Sequence, residues 1–151
     1  MDISNLLERF RKDTGLGVLS LDESNTCTFL VDDMKMSFMH VAEGDHLLLF
    51  AEAGEIPDEG RAALLLSALR ANYLFRGTAG ATLAVRPDSP TLFLNRSLRL
   101  EPLSYEEFVQ ALSDFTNALA EWRRLLADYH PAESAQQVPA PSPLPLDGIR
   151  I

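Results

Sequence analysis

The stretch that most constrains the fold runs from residue 71 to residue 98 and reads ANYLFRGTAGATLAVRPDSPTLFLNRSL. It predicts the end of an apolar helix, a glycine-bearing loop at residues 77–80, and two short strands joined by a Pro-Asp-Ser-Pro turn. A group of strands precedes this unit and an amphipathic helix follows it. The predicted order is therefore α-β-β-β-α-β-β-α, an α+β fold in which helices back an antiparallel sheet.

The N-terminal half predicts one short helix followed by a meander of strands. Four apolar residues with helical spacing predict a helix over residues 4–13, namely Ile3, Leu6, Leu7 and Phe10. A short strand is expected over residues 18–21. Three longer strands, separated by turn residues, are expected over Thr26–Val31, Met34–Val41 and residues 46–52. The last of them is apolar on both faces, so we expect it at the centre of the sheet.

The second helix is predicted to begin at Asp58, a residue type that caps helix N-termini, and to run to about residue 75. It carries too many apolar residues for a single stripe. A helix that is apolar around most of its surface has to be buried on more than one side. In a chain of this size a second subunit readily covers the second side, so the pattern favours a dimer.

The C-terminal helix has the clearest pattern in the chain. It is predicted to begin with a capping box, in which Ser104 and Glu107 satisfy each other's backbone N–H groups. Its apolar residues recur at alternating steps of four and three, which is typical of a helix with one buried face. They are Phe108, Leu112, Phe115, Leu119, Trp122 and Leu126.

Charge and cysteine content exclude several classes of function. The net charge of −9 disfavours binding to nucleic acid or to anionic membranes, since both need concentrated positive charge. A single cysteine, Cys27, excludes a disulfide within the chain and indicates a reducing compartment. The first residues lack the pattern of a secretory signal, and the apolar runs are too short to span a membrane. We therefore expect a cytoplasmic protein.

No catalytic motif is present. His40 and His46 lie on neighbouring predicted strands, but a zinc site would need further ligands, and only Cys27 and Asp45 are near. Cys27 alternates with Phe29 on an apolar face, so we expect a buried, inert thiol. We predict no catalytic residue, no metal and no cofactor. A small-molecule or metal-dependent enzyme remains the alternative that a polar cluster around the two histidines would support.

Apolar surface is the remaining candidate for function. Met34, Met36 and Met39 lie in one strand with Phe38 between them. Because methionine side chains are flexible and polarizable, they adapt to varied partners. This strand is the best candidate for an apolar binding groove, with ordinary core packing as the alternative for each of its side chains.

The chain divides into a folded domain over residues 1–129 and a proline-rich tail over residues 130–151. Closely spaced prolines favour an extended backbone and disfavour a packed core. Apolar residues alternate near the end of the tail, at Leu144, Leu146, Ile149 and Ile151. We expect that the tail can lie in the binding groove of its own or a neighbouring dimer and be displaced by a partner.

Four segments resemble the class I type III secretion chaperones, the Tir-chaperone (CesT-like) family. They are LLERFRKDTGL near the N-terminus, LSALRANYLFRGTAGATLAV at the second helix, TLFLNRSL after the Pro-Asp-Ser-Pro turn, and EEFVQALSDFTNALAEWRRLL at the end. The resemblance covers roughly residues 3–126. It agrees with the size, the acidity and the absence of catalytic motifs.

The resemblance implies a homodimer built on the second helix, where Leu65, Leu69 and Tyr73 would form the interface. It implies that the dimer binds the N-terminal segment of a secreted effector in extended form, keeps it soluble and passes it to the secretion ATPase. Added strands and apolar pockets are the means of such binding. The residues that match the family's groove by position are Leu6, Phe10, Phe29, Met36 and Phe38.

One alternative on the same scaffold stays open. A regulatory anti-activator would bind another small protein instead of a secreted effector, and the sequence does not separate the two roles. The identity of the bound partner would decide between them.

Overall fold

The helices and strands follow one another in the predicted order. The computed structural model describes residues 2–131. It contains α1 (Ile3–Thr14), β1 (Thr26–Val31), β2 (Met34–Val41), β3 (His46–Glu55), α2 (Arg61–Asn72), a short 3-10 helix (Tyr73–Phe75), β4 (Thr82–Val85), β5 (Thr91–Arg99) and α3 (Tyr105–Ala127). The α+β class with an antiparallel sheet is thereby confirmed.

The five strands form one sheet in the order β1-β2-β3-β5-β4, and every neighbouring pair is antiparallel. β3 lies at the centre, as its two apolar faces predict. β1 and β4 are the two edges of the sheet. A bulge between Glu52 and Gly54 in β3 lets the strand continue to Glu55, three residues beyond the predicted end.

One face of the sheet packs against α1 and α3. Four aromatic rings meet there, and Phe10 of α1 contacts each of the other three, with ring centroids 6.0 Å from Phe29, 6.1 Å from Phe38 and 5.5 Å from Phe108. Edge-to-face contacts of this kind add to the stabilisation that burial supplies. The predicted seam of α3 faces this core, and all six of its residues are buried or partly buried.

The ends of α1 and α3 follow local chemistry. Oδ2 of Asp2 accepts hydrogen bonds from the N–H groups of Ser4 and Asn5 at the start of α1. α3 begins with the predicted capping box, since the N–H of Ser104 donates to Oε2 of Glu107 (2.8 Å) and the N–H of Glu107 donates to Oγ of Ser104 (3.2 Å). Both helices therefore start where the sequence predicts, to within a residue or two.

The short strand predicted over residues 18–21 is wrong. This segment has no regular structure, and Leu19 and Leu21 pack against the core instead of pairing with a neighbouring strand. Asp22, just after this segment, closes a turn onto Thr26 at the start of β1, and no strand pairing continues from that turn within the described residues.

The predicted cap of α2 is also wrong. The helix begins after Gly60, which has a left-handed backbone (φ 71°), and no side chain caps it. Asp58 instead forms an ion pair with Arg61, with 2.6 Å between Oδ1 and Nη2. Tyr129, just after α3, donates its hydroxyl hydrogen to the carbonyl oxygen of Gly60 (2.8 Å). The start of α2 is therefore held by a contact from the far end of the chain.

Residues 132–151 lie outside the described part of the chain, and the predictions for the proline-rich tail lie there with them. Within residues 2–131, no helix has the length and apolar character that crossing a membrane requires.

Candidate partner-binding surfaces

One side of α2, with the 3-10 helix that follows it, carries several exposed apolar side chains. Leu64 and Ala68 on another side of the helix are buried against the core. Leu69 of α2 and Tyr73 at the start of the 3-10 helix, two of the predicted dimer residues, are each 66% exposed, and Leu65 is half-buried. Contiguous exposed apolar surface of this kind marks interaction sites.

The turn after α2 adds two further apolar side chains to this surface. Leu74 and Phe75 have positive φ angles of 52° and 55° and are each 53% exposed. Bulky residues rarely adopt the left-handed region, because their side chains crowd the backbone there. The surrounding structure therefore maintains a strained turn whose two large side chains face outward.

The structure places all five predicted effector-binding residues in the core. They cluster together, but each is less than 9% exposed, and Leu6 and Phe38 are fully covered; the set is Leu6, Phe10, Phe29, Met36 and Phe38. Met34 is buried as well, so three of the four residues of the methionine-rich stretch belong to the core. Only Met39 lies on the opposite face of the sheet, where it is half-buried.

The edge of β1 exposes unpaired backbone groups. In an antiparallel ladder alternate residues direct their N–H and C=O groups toward the neighbour. The N–H of His40 donates to the carbonyl oxygen of Asn25, so Asn25 and every second residue after it direct their backbone groups toward β2. Thr28 and Leu30 lie at the positions between, and their N–H and C=O groups point away from β2. Among the residues that the structure describes, none pairs with these groups. The side chain of Leu30 is also 59% exposed.

The face of the sheet opposite α1 and α3 holds an open cavity of about 570 Å³. Phe50 and Phe93 form its apolar part, and Thr28 and Ser37, whose hydroxyl groups are 2.8 Å apart, contribute polar groups. Arg123 of α3 lies at its rim, with Nη2 3.4 Å from Oδ2 of Asp33. The cavity is open to solvent and mixed in polarity, and its lining also includes the charged side chains of Lys35, Glu52 and Arg86.

The histidines take part in separate polar contacts. Nε2 of His40 lies 3.2 Å from Oδ1 of Asp45, and Nδ1 of His46 lies 3.1 Å from Oγ of Ser97. Burial raises the pKa of the Cys27 thiol, which disfavours the reactive thiolate. Within residues 2–131 no three His, Cys, Asp or Glu side chains are grouped so that they could hold a metal ion.

Three exposed apolar residues of these surfaces, Leu30, Leu74 and Phe75, are not among the site residues that the sequence predicts. The sequence pattern predicts that the second helix includes Leu74 and Phe75, although Gly77, which follows soon after, signals a turn. Leu30 shares one face of β1 with Thr26 and Thr28, and an apolar residue on the otherwise polar face of a strand is a signal in the sequence that identifies it.

Comparison with curated proteins finds relatives named Tir chaperone. The protein of that name from Citrobacter freundii is 26% identical over 102 residues, which are 68% of this chain and 65% of that protein. The one from Escherichia coli O157:H7 is 24% identical over the same length. The matched region therefore spans about two thirds of the length of these relatives.

Solved structures share the fold. A chain of the ExsC–ExsE complex superimposes with a TM-score of 0.69 at 26% identity, covering 83% of this chain and 97% of that one. A chain of the HopA1–SchA chaperone–effector complex superimposes with a TM-score of 0.65 at 23% identity, covering 82% and 98%. Residues 5–123 match the family described as Tir chaperone protein (CesT), from α1 to the last turns of α3. The chain belongs to the Tir chaperone protein (CesT) family.

Proposed function

We propose that this protein is a homodimeric, non-enzymatic chaperone that binds the N-terminal segment of a type III secreted effector in extended form. Family membership supports this proposal, as do relatives that are named Tir chaperone and a similar fold in a chaperone–effector complex. The proposed site of action is the cytoplasm, where the chaperone keeps its client soluble and delivers it to the secretion ATPase.

The single observation that carries the proposal is the unpaired edge of β1. The N–H and C=O groups of Thr28 and Leu30 are available to an added strand, and the exposed side chain of Leu30 lies beside them. Strand addition obtains affinity from backbone hydrogen bonds and selectivity from alternate side chains. An extended segment of a client satisfies both requirements without any catalytic group.

The five buried residues have a supporting part in this proposal. Phe29 lies between Thr28 and Leu30 in β1, and its ring centroid is 4.5 Å from that of Phe38. Packing beneath the strand holds the edge straight and ready for pairing, which reduces the entropy that binding has to overcome. Exposed neighbours of these residues make the direct contacts with the client.

The dimer part of the proposal concerns the exposed face of α2. Leu65 and Leu69 are spaced four residues apart and so lie along one side of α2, and Tyr73 follows at the start of the 3-10 helix. Leu74 and Phe75 extend the same apolar surface through the strained turn. A second copy that covers these side chains would remove them from water and would offset the cost of the strain.

The test is to express a tagged copy of this protein in its native host under secretion-inducing conditions and to purify it with its bound partners. Mass spectrometry identifies the partners, and light scattering measures the mass of the complex. We expect a larger secreted protein bound to two copies of this chain. Recovery of a small regulator instead would support the anti-activator role, and a bare monomer without a partner would overturn the proposal.

Two proline variants test whether capture of the client depends on strand addition at β1. Leu30→Pro removes an outward N–H donor from β1, while Val85→Pro removes the equivalent donor from the opposite edge at β4. Both leave the inward ladder intact, since proline is tolerated on edge strands when its nitrogen faces outward. We expect client recovery to be lost with Leu30→Pro and kept with Val85→Pro; equal recovery would exclude the β1 edge as the site.

A further inference from the structure

Both edges of the sheet carry a side chain that occupies outward-facing backbone groups. At β4 the N–H of Leu83 donates to Oδ1 of Asn72 (2.8 Å), and Nδ2 of Asn72 donates to the carbonyl oxygen of Leu83 (3.0 Å). The amide of Asn72, the last residue of α2, thereby replaces the backbone of a neighbouring strand. It occupies the middle of a strand that is only four residues long.

At β1 the same role belongs to Asp22. The N–H of Thr26 donates to Oδ1 of Asp22 (3.0 Å), and the N–H of Asp22 donates to the carbonyl oxygen of Thr26 (2.8 Å). The same carboxylate oxygen accepts from the N–H of Ser24 (2.8 Å), which holds it in place. Both outward groups at the first position of β1 are therefore occupied.

The two closures leave two successive outward positions open on β1 and a single one, Val85, at the end of β4. Along β1 the outward-facing residues are Thr26, Thr28 and Leu30, of which Asp22 occupies the first. A strand that paired at Thr26 would have to displace a charge-assisted hydrogen bond, which is stronger than a neutral one. At β4, pairing would have to displace both bonds of Asn72. Thr28 and Leu30 are the outward pairing positions of β1 that remain open.

We propose that Asp22 and Asn72 are positioning residues that direct a partner strand to Thr28 and Leu30 of β1 and set its register there. This inference rests on the proposed function and deepens it. The partner is an extended segment of about five residues, long enough to face Thr28 and Leu30 with one flanking residue on either side. The exposed side chain of Leu30 calls for an uncharged, apolar partner residue beside it.

The closures can be tested on the full chain without a client, by amide hydrogen exchange followed by NMR. In the wild type we expect slow exchange at Thr26 and Leu83 and fast exchange at Thr28 and Leu30. Asp22→Ala is expected to speed exchange at Thr26 by about tenfold or more. Asp22→Asn keeps an acceptor oxygen and should preserve slow exchange, as should Glu23→Ala, which removes a neighbouring exposed carboxylate.

The second edge has its own pair of variants. Asn72→Ala should speed exchange at Leu83 by a similar factor, while Arg70→Ala, a nearby exposed position of α2, should not. Exchange at buried Phe38 and Leu94 reports whether each variant keeps its fold. Wild-type exchange at Thr26 or Leu83 that is as fast as at Thr28 would overturn the inference.

The probe for register is a twelve-residue peptide selected from a random display library against the full chain and counter-selected on Leu30→Pro. With the wild type, this peptide should protect the amides of Thr28 and Leu30. With Asp22→Ala, protection should extend to Thr26. If Thr28 and Leu30 become protected but Asp22→Ala causes no extension, the register role of Asp22 is overturned and the β1 site stands. If no selected peptide protects β1 in either protein, both strand addition and this inference are overturned.

Discussion

α2 and α3 are both rich in apolar residues, yet they use them in opposite ways. α3 begins with a complete capping box and turns one seam of large side chains, among them Phe115 and Leu119, into the core. α2 begins without a side-chain cap and buries only Leu64 and Ala68, while Leu66 and Leu69 remain about half exposed or more. This difference indicates that the apolar residues of α3 stabilise the fold of a single chain, whereas those of α2 also form a surface that a partner can cover.

The largest expected effect comes from truncating the core seam of α3. Phe115→Ala removes a fully buried ring, and we expect the free energy of unfolding to fall by about 3–5 kcal/mol because the cavity left behind does not close. Chemical denaturation followed by circular dichroism measures it. Leu69→Ala, the counterpart on α2, should lower the stability of the isolated monomer by less than about 0.5 kcal/mol. Equal losses of unfolding free energy in the two variants would contradict the proposed difference between the two helices.

The next effect concerns assembly. Leu69→Asp places a carboxylate in the middle of the proposed dimer interface, where burial without a cation is costly. We expect a folded monomer or an aggregate in place of the dimer, as measured by sedimentation velocity. Val109→Asp, at an exposed apolar position of α3, is the matched control and should leave the dimer unchanged. An intact dimer in Leu69→Asp would locate the interface elsewhere.

A smaller effect is expected at the start of α3. Ser104→Ala removes the oxygen that accepts from the N–H of Glu107, and the loss of such a cap costs about 1 kcal/mol of unfolding free energy. Thermal unfolding at neutral pH would detect it as a shift of several degrees in Tm. Serine introduced near the start of α2, as in Ala62→Ser, should give no comparable change, since no side chain caps that helix. A neutral Ser104→Ala would mean that packing alone positions α3.

The last effect is absent at neutral pH and is a pH dependence in the first turn of α3 that appears only under alkaline conditions. Burial, with a hydrogen bond to Asp13, raises the pKa of Tyr105 from 10.0 to about 12, and the guanidinium of Arg9 lies 3.8 Å from the ring centroid. A raised pKa in the folded state means that the stabilisation is complete below pH 10 and is lost as the pH rises toward 12. Tyr105→Phe should remove this part of the alkaline decline. Identical stability profiles between pH 8 and 11.5 would contradict the assignment.

Much of the fold could be predicted because local patterns agreed with the tertiary structure. The alternating residues of β1 to β3, the turns between them, and the seam of α3 each reflect the periodicity of one element. The predicted strand over residues 18–21 and the predicted cap at Asp58 failed for a shared reason. Both depend on contacts that the local pattern does not contain, namely the packing of Leu19 and Leu21 against the core and the hydroxyl of Tyr129 on Gly60.

The candidate surfaces were predicted unevenly. The excess of apolar residues on α2 indicated a second buried side, and the described domain does leave Leu69 and Tyr73 exposed. The predicted groove residues are apolar and lie close together, but apolarity alone does not separate a core position from a binding position. Phe29 and Leu30 are neighbours in sequence, yet one is buried and the other is more than half exposed. They differ because α1 and α3 cover the face of the sheet that holds Phe29 and not the face that holds Leu30.

The sequence by itself determined the order of the elements, the central position of β3, the capping box of α3 and the unbalanced apolar surface of α2. These properties follow from the spacing of side chains along a single helix or strand. The tertiary structure alone decided which backbone groups remain unpaired, because an edge is defined by what lies beside it. Asn72 and Asp22 are ordinary polar residues in the sequence, and they become edge closures only where the fold brings them against Leu83 and Thr26.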